Sequence, residues 1–111
     1  MTMLWTRFGG LLLLAGTILF LVAVPTQAQG GDVFKAKCAA CHSADGSGSS
    51  AMGKQLQAPD LRSEDVQKKS DADLIAATTN GVGKKMPAYK GKLTDDQIKQ
   101  VVVYIRELAK K

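Results

Sequence analysis

The amino-acid sequence predicts an all-α domain, and three observations carry that prediction. Apolar residues recur at helical spacing near the C-terminus; they are Ile98, Val101, Val102, Ile105 and Leu108. Ser70 and Thr94 are each followed three residues later by a residue suited to a helix start, Asp73 and Gln97. No segment alternates apolar and polar residues long enough to indicate a strand. With 111 residues, the chain has room for one such domain.

The first 28 residues have the composition of a secretory signal. Arg7 supplies the positive charge, the run from Phe8 to Val24 is uncharged and apolar, and Thr26-Gln27-Ala28 offers small residues to a signal peptidase. The sequence therefore predicts a cleaved signal peptide over residues 1–28 and one domain over residues 29–111. A retained N-terminal anchor is the weaker alternative, because the apolar run is short for a bilayer span. Either way the domain is predicted to be exported, to the periplasm or to a compartment such as a thylakoid lumen.

The first helix of the domain is predicted from Asp32 to about Ala40, with Phe34 and Cys38 one turn apart on the same face. The segment from Ser43 to Ala58 is rich in glycine and serine and is predicted to be a loop that ends at a proline. A short helical turn is expected over Ser63–Lys68.

A further helix is predicted from its capping residue, and a loop follows it. Ser70 predicts a helix over Ala72–Thr79, which Asn80-Gly81 would end. The segment from Gly81 to Lys92 contains three glycines, four lysines and a proline, and it must be a loop.

The last helix is the best-marked element of the sequence. Thr94 and Gln97 can form a capping box, and two aspartates follow Thr94 where the helix dipole favours acids. Lys110 and Lys111 lie at the opposite, negative end. The apolar stripe between these ends is predicted to be the core face of the domain.

The motif Cys38-Ala39-Ala40-Cys41-His42 carries the chemistry of the chain. Two thiols separated by two residues can reach the two vinyl groups on one edge of a porphyrin, and the following imidazole can then bind the iron. His42 is the only histidine in the sequence. The motif predicts one haem c attached through Cys38 and Cys41 with His42 as an axial ligand, and so small a domain also needs a large apolar group to complete its core.

Three other interpretations of this motif are weaker. A thiol–disulfide protein of the thioredoxin type needs alternating strands and helices, which the sequence does not predict. A zinc site needs four ligands, whereas the chain has two cysteines and one histidine. A structural disulfide is compatible with export but leaves His42 unexplained.

A second axial ligand must come from the other side of the ring, and Met52 and Met86 are the methionines of the predicted domain. Met86 is favoured, because nearby glycines let the backbone approach a flat ring and Pro87 stiffens the chain after it. Met52 lies in the glycine- and serine-rich segment without such support, and an iron without a protein sixth ligand is the third option.

Several motifs occur in a fixed order along the domain: Gly30 with Phe34, Cys38-x-x-Cys41-His42, Ala58-Pro59-Asp60-Leu61, Met86-Pro87-Ala88-Tyr89 and Tyr104-Ile105-Arg106. This order resembles that of class I c-type cytochromes, most of all the short monohaem type of bacteria and of photosynthetic electron transport. The resemblance extends from Gly30 to about Leu108. It implies a class I cytochrome c fold, with three to four helices wrapped around one covalently bound haem.

The resemblance also implies roles for individual residues. The carbonyl of Pro59 would accept the Nδ1 proton of His42, which fixes the ring and raises its basicity. Leu61 and Tyr89 would pack on or near the haem. Gly30 and Phe34 would cross Tyr104 where the first and last helices meet.

One departure concerns the haem propionates. Many class I members place a tryptophan near a propionate, whereas the only tryptophan here is Trp5, inside the predicted signal peptide. Arg62 and Gln55 are then the candidate propionate anchors, with weak support.

The predicted function is that of a soluble electron-transfer protein, not an enzyme, because an iron with two protein ligands has no site for a substrate. A small haem peroxidase-like enzyme is the alternative. The formal net charge of +5 is too small to indicate nucleic-acid binding and suits an acidic protein partner. The resemblance implies a monomer that docks transiently on membrane complexes, with a cytochrome bc-type donor and an oxidase or photosystem as acceptor. Four lysines could steer that docking: Lys84, Lys85, Lys90 and Lys92.

Overall fold

A computed structural model describes residues 15–22 and 26–111 of the chain, and within these ranges six helical segments make up the regular structure. The segments are α1 (Thr26–Lys37), α2 (Ala39–His42), α3 (Ala51–Leu56), α4 (Glu64–Gln67), α5 (Asp71–Asn80) and α6 (Asp95–Leu108). The described ranges contain no β-strand, and their only β-type pairs are the isolated bridges Val82–Met86 and Lys90–Leu93. The all-α prediction is confirmed. The structure has more helical segments than the three to four expected. Three of them, α2, α3 and α4, are short segments of only four to six residues.

The capping residues begin the helices where the sequence predicted. The hydroxyl of Ser70 accepts a hydrogen bond from the backbone N–H of Asp73 at 3.0 Å, and α5 begins at the next residue. Thr94 and Gln97 form both hydrogen bonds of a capping box, at 2.9 and 3.1 Å. All five apolar residues of the predicted stripe on α6 are buried.

Two helical segments differ from the predictions. The loop predicted over Ser43–Ala58 contains α3, which begins after Ser50, whose hydroxyl accepts from the N–H of Gly53 at 2.9 Å. Because small polar residues surround Ser50 in the sequence, the pattern did not distinguish it as a helix cap. The first helix begins at Thr26 and ends at Lys37, and a break at Cys38 separates it from α2.

The N-terminal segment is described only in part. Residues 15–22 have no regular secondary structure, and the side chains from Ile18 to Val22 are 77–87% exposed. Within the described ranges, no helix combines the length and the apolar character needed to cross a membrane. Residues 1–14 and 23–25, which include Arg7 of the predicted signal peptide, lie outside the described residues. The signal peptide and its cleavage after Ala28 stay predictions.

Helices α1 and α6 cross at closely packed residues. A Cβ atom added to Gly30 would overlap the carbonyl oxygen of Gln100. Phe34 is fully buried, and its ring lies 5.3 Å from the ring of Tyr104, centroid to centroid, at an angle of 51°. The crossing of the first and last helices at Gly30, Phe34 and Tyr104 is therefore confirmed, and it fixes the position of the cysteine motif that follows α1.

Replacing Gly30 by alanine is expected to destabilise the protein by about 1–3 kcal/mol, because the added methyl group must push α1 away from α6. This loss exceeds the gain of about 0.5–1 kcal/mol that alanine normally gives inside a helix. Urea unfolding of the haem-loaded protein measures the change.

Gly31→Ala is the matched control, because its added methyl group would meet only the ring of Tyr104, at 3.1 Å, and a ring can shift more easily than backbone. If Gly30→Ala were as stable as Gly31→Ala, the close helix crossing would not limit stability.

Candidate functional site

A cavity of about 310 Å³ lies between the cysteine motif, the α3–α5 region, the loop before α6 and α6 itself. Its walls are mainly apolar, with contributions from Leu56, Val66, Leu74, Val101 and Ile105. No aspartate or glutamate of the described residues lines it. Its size falls within the range of sites for organic cofactors, and its walls suit a group with large apolar faces.

All seven site residues predicted from the sequence line this one cavity. Cys38, Cys41 and His42 come from the turn between α1 and α2 and from α2. The others follow later in the chain: Pro59, Leu61, Met86 and Tyr89. The fold thus brings together residues that the sequence holds far apart.

The two candidate methionines differ in their position relative to the cavity. Met86 lines the cavity and is half-buried. Met52 lies on α3, outside the cavity lining, and is 52% exposed. The position of Met86 is the one suited to a sixth ligand.

A single helical turn presents the cysteines and the histidine. The carbonyl of Cys38 accepts hydrogen bonds from the N–H of Cys41 at 3.2 Å and from the N–H of His42 at 2.9 Å. Because α1 stops at Lys37, this turn can leave the axis of α1 and face the cavity.

Helix α3, which the sequence pattern missed, holds that turn from outside. The Ser50 hydroxyl lies 2.9 Å from the carbonyl oxygen of Ala40 and 3.1 Å from that of Cys41, either of which can accept its proton. A Cβ atom at Gly53 would overlap the carbonyl oxygen of Cys41, so only glycine permits this approach. The signal available in the sequence was Ser50 as a helix N-cap.

The environment of the thiols argues against redox-disulfide chemistry. Burial raises the pKa of Cys38 to about 11, and the nearby Cys41 adds to the increase. Reactive cysteines of Cys-x-x-Cys redox proteins have lowered pKa values, because the thiolate is the nucleophile. Both cysteines are free thiols in this structure, and their setting suits covalent attachment to an apolar cofactor better than disulfide exchange.

The imidazole of His42 is in the form that binds a metal. Burial lowers its pKa, so the ring is neutral at ordinary pH. Its Nδ1 atom is buried and has no hydrogen-bond partner among the described residues. The hydrogen bond expected between this atom and the Pro59 carbonyl is not formed in this structure, although both residues line the cavity. The role of Pro59 stays a prediction.

The backbone at Met86 is fixed by a local pair of hydrogen bonds. The N–H of Val82 donates to the carbonyl of Met86 at 3.0 Å, and the N–H of Met86 donates back at 3.2 Å. Gly81 has a φ of +76°, and a Cβ atom there would lie 2.6 Å from the Met86 carbonyl oxygen. The glycine therefore permits the tight turn that directs Met86 to the cavity.

Tyr89 ties the same loop to the helices. Its hydroxyl donates to the carbonyl of Lys37 at 2.9 Å, and its N–H donates to the carbonyl of Thr78 at 3.1 Å. Burial is the main cause that raises the pKa of Tyr89. The loop is thus attached both beside the cysteine motif and at the end of α5.

Neither propionate anchor suggested by the sequence lines the cavity. Arg62 borders a separate pocket and pairs with Asp60 at 3.0 Å and with Asp45 at 3.7 Å. Gln55 lies on α3, outside the lining. The anchoring of the propionates must therefore be sought elsewhere.

Sequence reasoning also missed part of the cavity wall. Val101 and Ile105 were predicted to be buried from their helical spacing, but that spacing does not distinguish a wall facing a cofactor from one facing another helix. Val66, Leu74 and Thr78 had no such pattern. The Thr78 hydroxyl donates to the Leu74 carbonyl at 2.9 Å, which satisfies the one buried polar residue of the described core.

Comparisons with known proteins agree with this geometry. The model of the family described as cytochrome c oxidase, cbb3-type, subunit III matches residues 25–105. Cytochrome c6 of Leptolyngbya boryana is 44% identical over 84 residues, which cover 76% of this chain and 94% of the relative. Cytochrome c6 of Synechocystis is 34% identical and covers 93% of this chain and 79% of the relative.

Two further matches define the extent of the likeness. The oxidase subunit CcoP of Azospirillum brasilense is 37% identical over 72% of this chain, but the match spans only 28% of that subunit. The solved structure of the KustC0563 c-type cytochrome superposes with a TM-score of 0.67 at 29% identity, covering 71% of this chain and 95% of the other. The two thiols, the neutral imidazole and the apolar cavity fit the haem that these proteins imply. This chain belongs to the small class I monohaem c-type cytochromes, electron-transfer proteins that carry a covalently attached haem c, here through Cys38 and Cys41.

Proposed function

We propose that this protein passes single electrons between redox partners through a haem c whose iron is bound by His42 and Met86. The observation that carries the proposal is that one apolar cavity collects Cys38, Cys41, His42 and Met86 on its walls. A haem bound there supplies reversible one-electron exchange between Fe(III) and Fe(II).

The protein contributes two ligands of different strength. His42 is neutral because burial lowers its pKa, so its lone pair is available to a metal. The thioether of Met86 donates less charge than a second imidazole would, and this raises the reduction potential. His42 from α2 and Met86 from the loop before α6 would together hold the iron, which would leave no coordination site for a substrate.

The cavity walls act on the potential in the same direction. Buried apolar residues such as Leu61, Leu74 and Val101 surround the site and exclude water from it. A low-dielectric environment disfavours the more highly charged oxidised site. The walls therefore reinforce the effect of the Met86 ligand.

A haem peroxidase-like enzyme is the second candidate function, and the reduced protein distinguishes the two. Spectra recorded under carbon monoxide without denaturant are expected to stay unchanged if His42 and Met86 hold the iron. A carbon monoxide complex that forms readily would show an open coordination site and favour the enzyme.

The partners are inferred from the surface beside Met86. Four lysines, here called the basic rim, are all exposed: Lys84, Lys85, Lys90 and Lys92. Val82, which lines the cavity, precedes them in the same loop and is 53% exposed. A positive rim around an apolar centre suits a partner with an acidic docking surface. We infer a cytochrome bc-type donor and an oxidase or photosystem acceptor in an exported compartment. The similarity to a subunit of a cbb3-type oxidase supports such membrane partners.

Electron transfer to such an acceptor is expected to slow steeply with salt. Electrostatic steering raises association rates by about 10- to 1000-fold, and the Debye length falls from about 10 Å at 0.1 M salt to about 3 Å at 1 M. Stopped-flow oxidation of the reduced protein by membranes containing the acceptor complex measures the rate across this range.

A charge-matched pair of variants shows whether the basic rim is responsible. Lys84→Gln with Lys90→Gln is expected to flatten the dependence of the rate on salt. The control, Lys99→Gln with Lys110→Gln, removes the same charge from α6 and the C-terminal end and is expected to keep that dependence. Equal slopes for the two double variants, or a rate that ignores salt, would leave the rim without a docking role.

A further inference from the structure

The charged residues that line the cavity are all positive. Among the described residues, Lys37, Gln57, Lys69 and Lys85 line it with long polar side chains, and no acidic side chain does. A haem brings two propionate carboxylates, which project from the edge opposite the vinyl groups. An apolar cavity whose charged lining residues are all lysines has the charge needed to hold that acidic edge.

The other two lysines are less suited than Lys69 to meet that acidic edge, Lys37 because of its place in the chain and Lys85 because of its side-chain contact. Lys37 directly precedes Cys38, so it would lie on the side where the thioethers form, opposite the propionates. The Tyr89 hydroxyl donates to its backbone carbonyl at 2.9 Å. The ammonium of Lys85 donates to the Gln57 side-chain oxygen at 2.9 Å, which joins the loop of Met86 to the segment after α3.

Lys69 differs from both of them. It lies in the turn between α4 and α5, away from the cysteine motif, and unlike the ammonium of Lys85 its ammonium makes no ion pair and no hydrogen bond to the described residues. Its neighbour Lys68 does not line the cavity and pairs instead with Asp65 at 3.2 Å. Both lysines are exposed, and only Lys69 of this pair borders the cavity.

The backbone that presents Lys69 is unusually well held. The Nη2 group of Arg106 donates to the Lys69 carbonyl at 2.6 Å and to Asp71 at 2.9 Å. The Nη1 group of the same arginine donates to the Gln67 carbonyl at 2.9 Å. These bonds anchor the α4–α5 turn to α6, so the position of Lys69 is set by the fold rather than by the ligand.

We propose that Lys69 is the cation that binds a haem propionate, in place of the tryptophan-based anchor that this domain lacks. The proposal rests on the haem site described above. A lysine ammonium beside a propionate offsets negative charge close to the iron, which favours Fe(II). Removing it is therefore expected to lower the reduction potential.

The test compares Lys69→Met with Lys68→Met in the haem-loaded protein. Both variants remove one adjacent positive charge, but only Lys69→Met is expected to lower the midpoint potential clearly at low ionic strength. Lys69→Arg, which restores a cation, is expected to return the potential toward that of the original protein. Equal potentials for Lys69→Met and Lys68→Met, or a shift that follows Lys85→Met instead, would overturn the assignment.

A direct measurement separates this proposal from the haem site itself. In proton NMR of the reduced, diamagnetic protein, nuclear Overhauser contacts are expected between the Lys69 Cε protons and a propionate methylene. Their absence in protein with intact thioether bonds and Met86 ligation would overturn the role of Lys69 alone. A protein without covalent haem would instead refute the function on which the proposal rests.

Discussion

Replacing Cys38 and Cys41 together by alanine is expected to abolish covalent haem binding completely, because no other cysteine exists in the chain to form a thioether. After expression in a host with an active haem-attachment system, haem staining of a denaturing gel should show a coloured band for the original protein and none for the variant. A stained band in the double variant would contradict the attachment scheme.

The same variant is also expected to lose its cooperative fold. An unfilled apolar cavity of about 310 Å³ corresponds to a destabilisation on the order of 7 kcal/mol at about 24 cal/mol per Å³. This is comparable to the total stability of about 5–15 kcal/mol of an ordinary domain. Thermal unfolding followed by circular dichroism should change from a sharp transition to a broad one. Cys41→Ala alone is the control, because the Cys38 thioether still holds the haem in place.

Replacing Met86 by alanine is expected to have the second-largest effect. The oxidised protein should lose the weak long-wavelength absorption band that marks sulfur bonded to Fe(III) haem. Its reduction potential should fall, since the charge-poor thioether ligand is lost. The vacated coordination site should then bind cyanide in the oxidised protein and carbon monoxide in the reduced protein.

Met52→Ala is the matched control for that experiment. Met52 is half-exposed on α3 and does not line the cavity, so its loss should leave the band, the potential and the ligand binding nearly unchanged. The opposite pattern would assign the ligand role to Met52. A band that survives in both variants would refute methionine ligation.

Elements with a capping residue and a regular apolar stripe could be predicted closely from the sequence. Helix α6 has both, and its predicted start and buried face are those observed. Helix α3 has neither a stripe nor the length to show one, since it consists of six residues with one buried glycine. Its stability comes from packing on the turn of Cys41 through Gly53, a tertiary contact with no periodic signature.

The site was predictable for a different reason than the fold. Covalent attachment requires fixed spacing, so Cys38, Cys41 and His42 stand together in the sequence. The ring-facing side of the cavity has no such requirement, because Val66 and Leu74 need only be apolar and reach it from separate helices. Whether His42 meets the Pro59 carbonyl likewise depends on how two separate segments are placed in the fold, which spacing does not specify.

The crossing of α1 on α6 has a consequence for how this domain tolerates changes in length. The contact of Gly30 with Gln100 closes a loop of about seventy residues that contains all seven predicted site residues. Because closure entropy grows with the logarithm of loop length, even a doubling of the loop costs only about 0.6 kcal/mol. Insertions between α2 and α3 or before α6 therefore leave the pairing of the terminal helices almost as favourable as before. The architecture thus allows the rim of the cofactor cavity to be elaborated while its framework is kept.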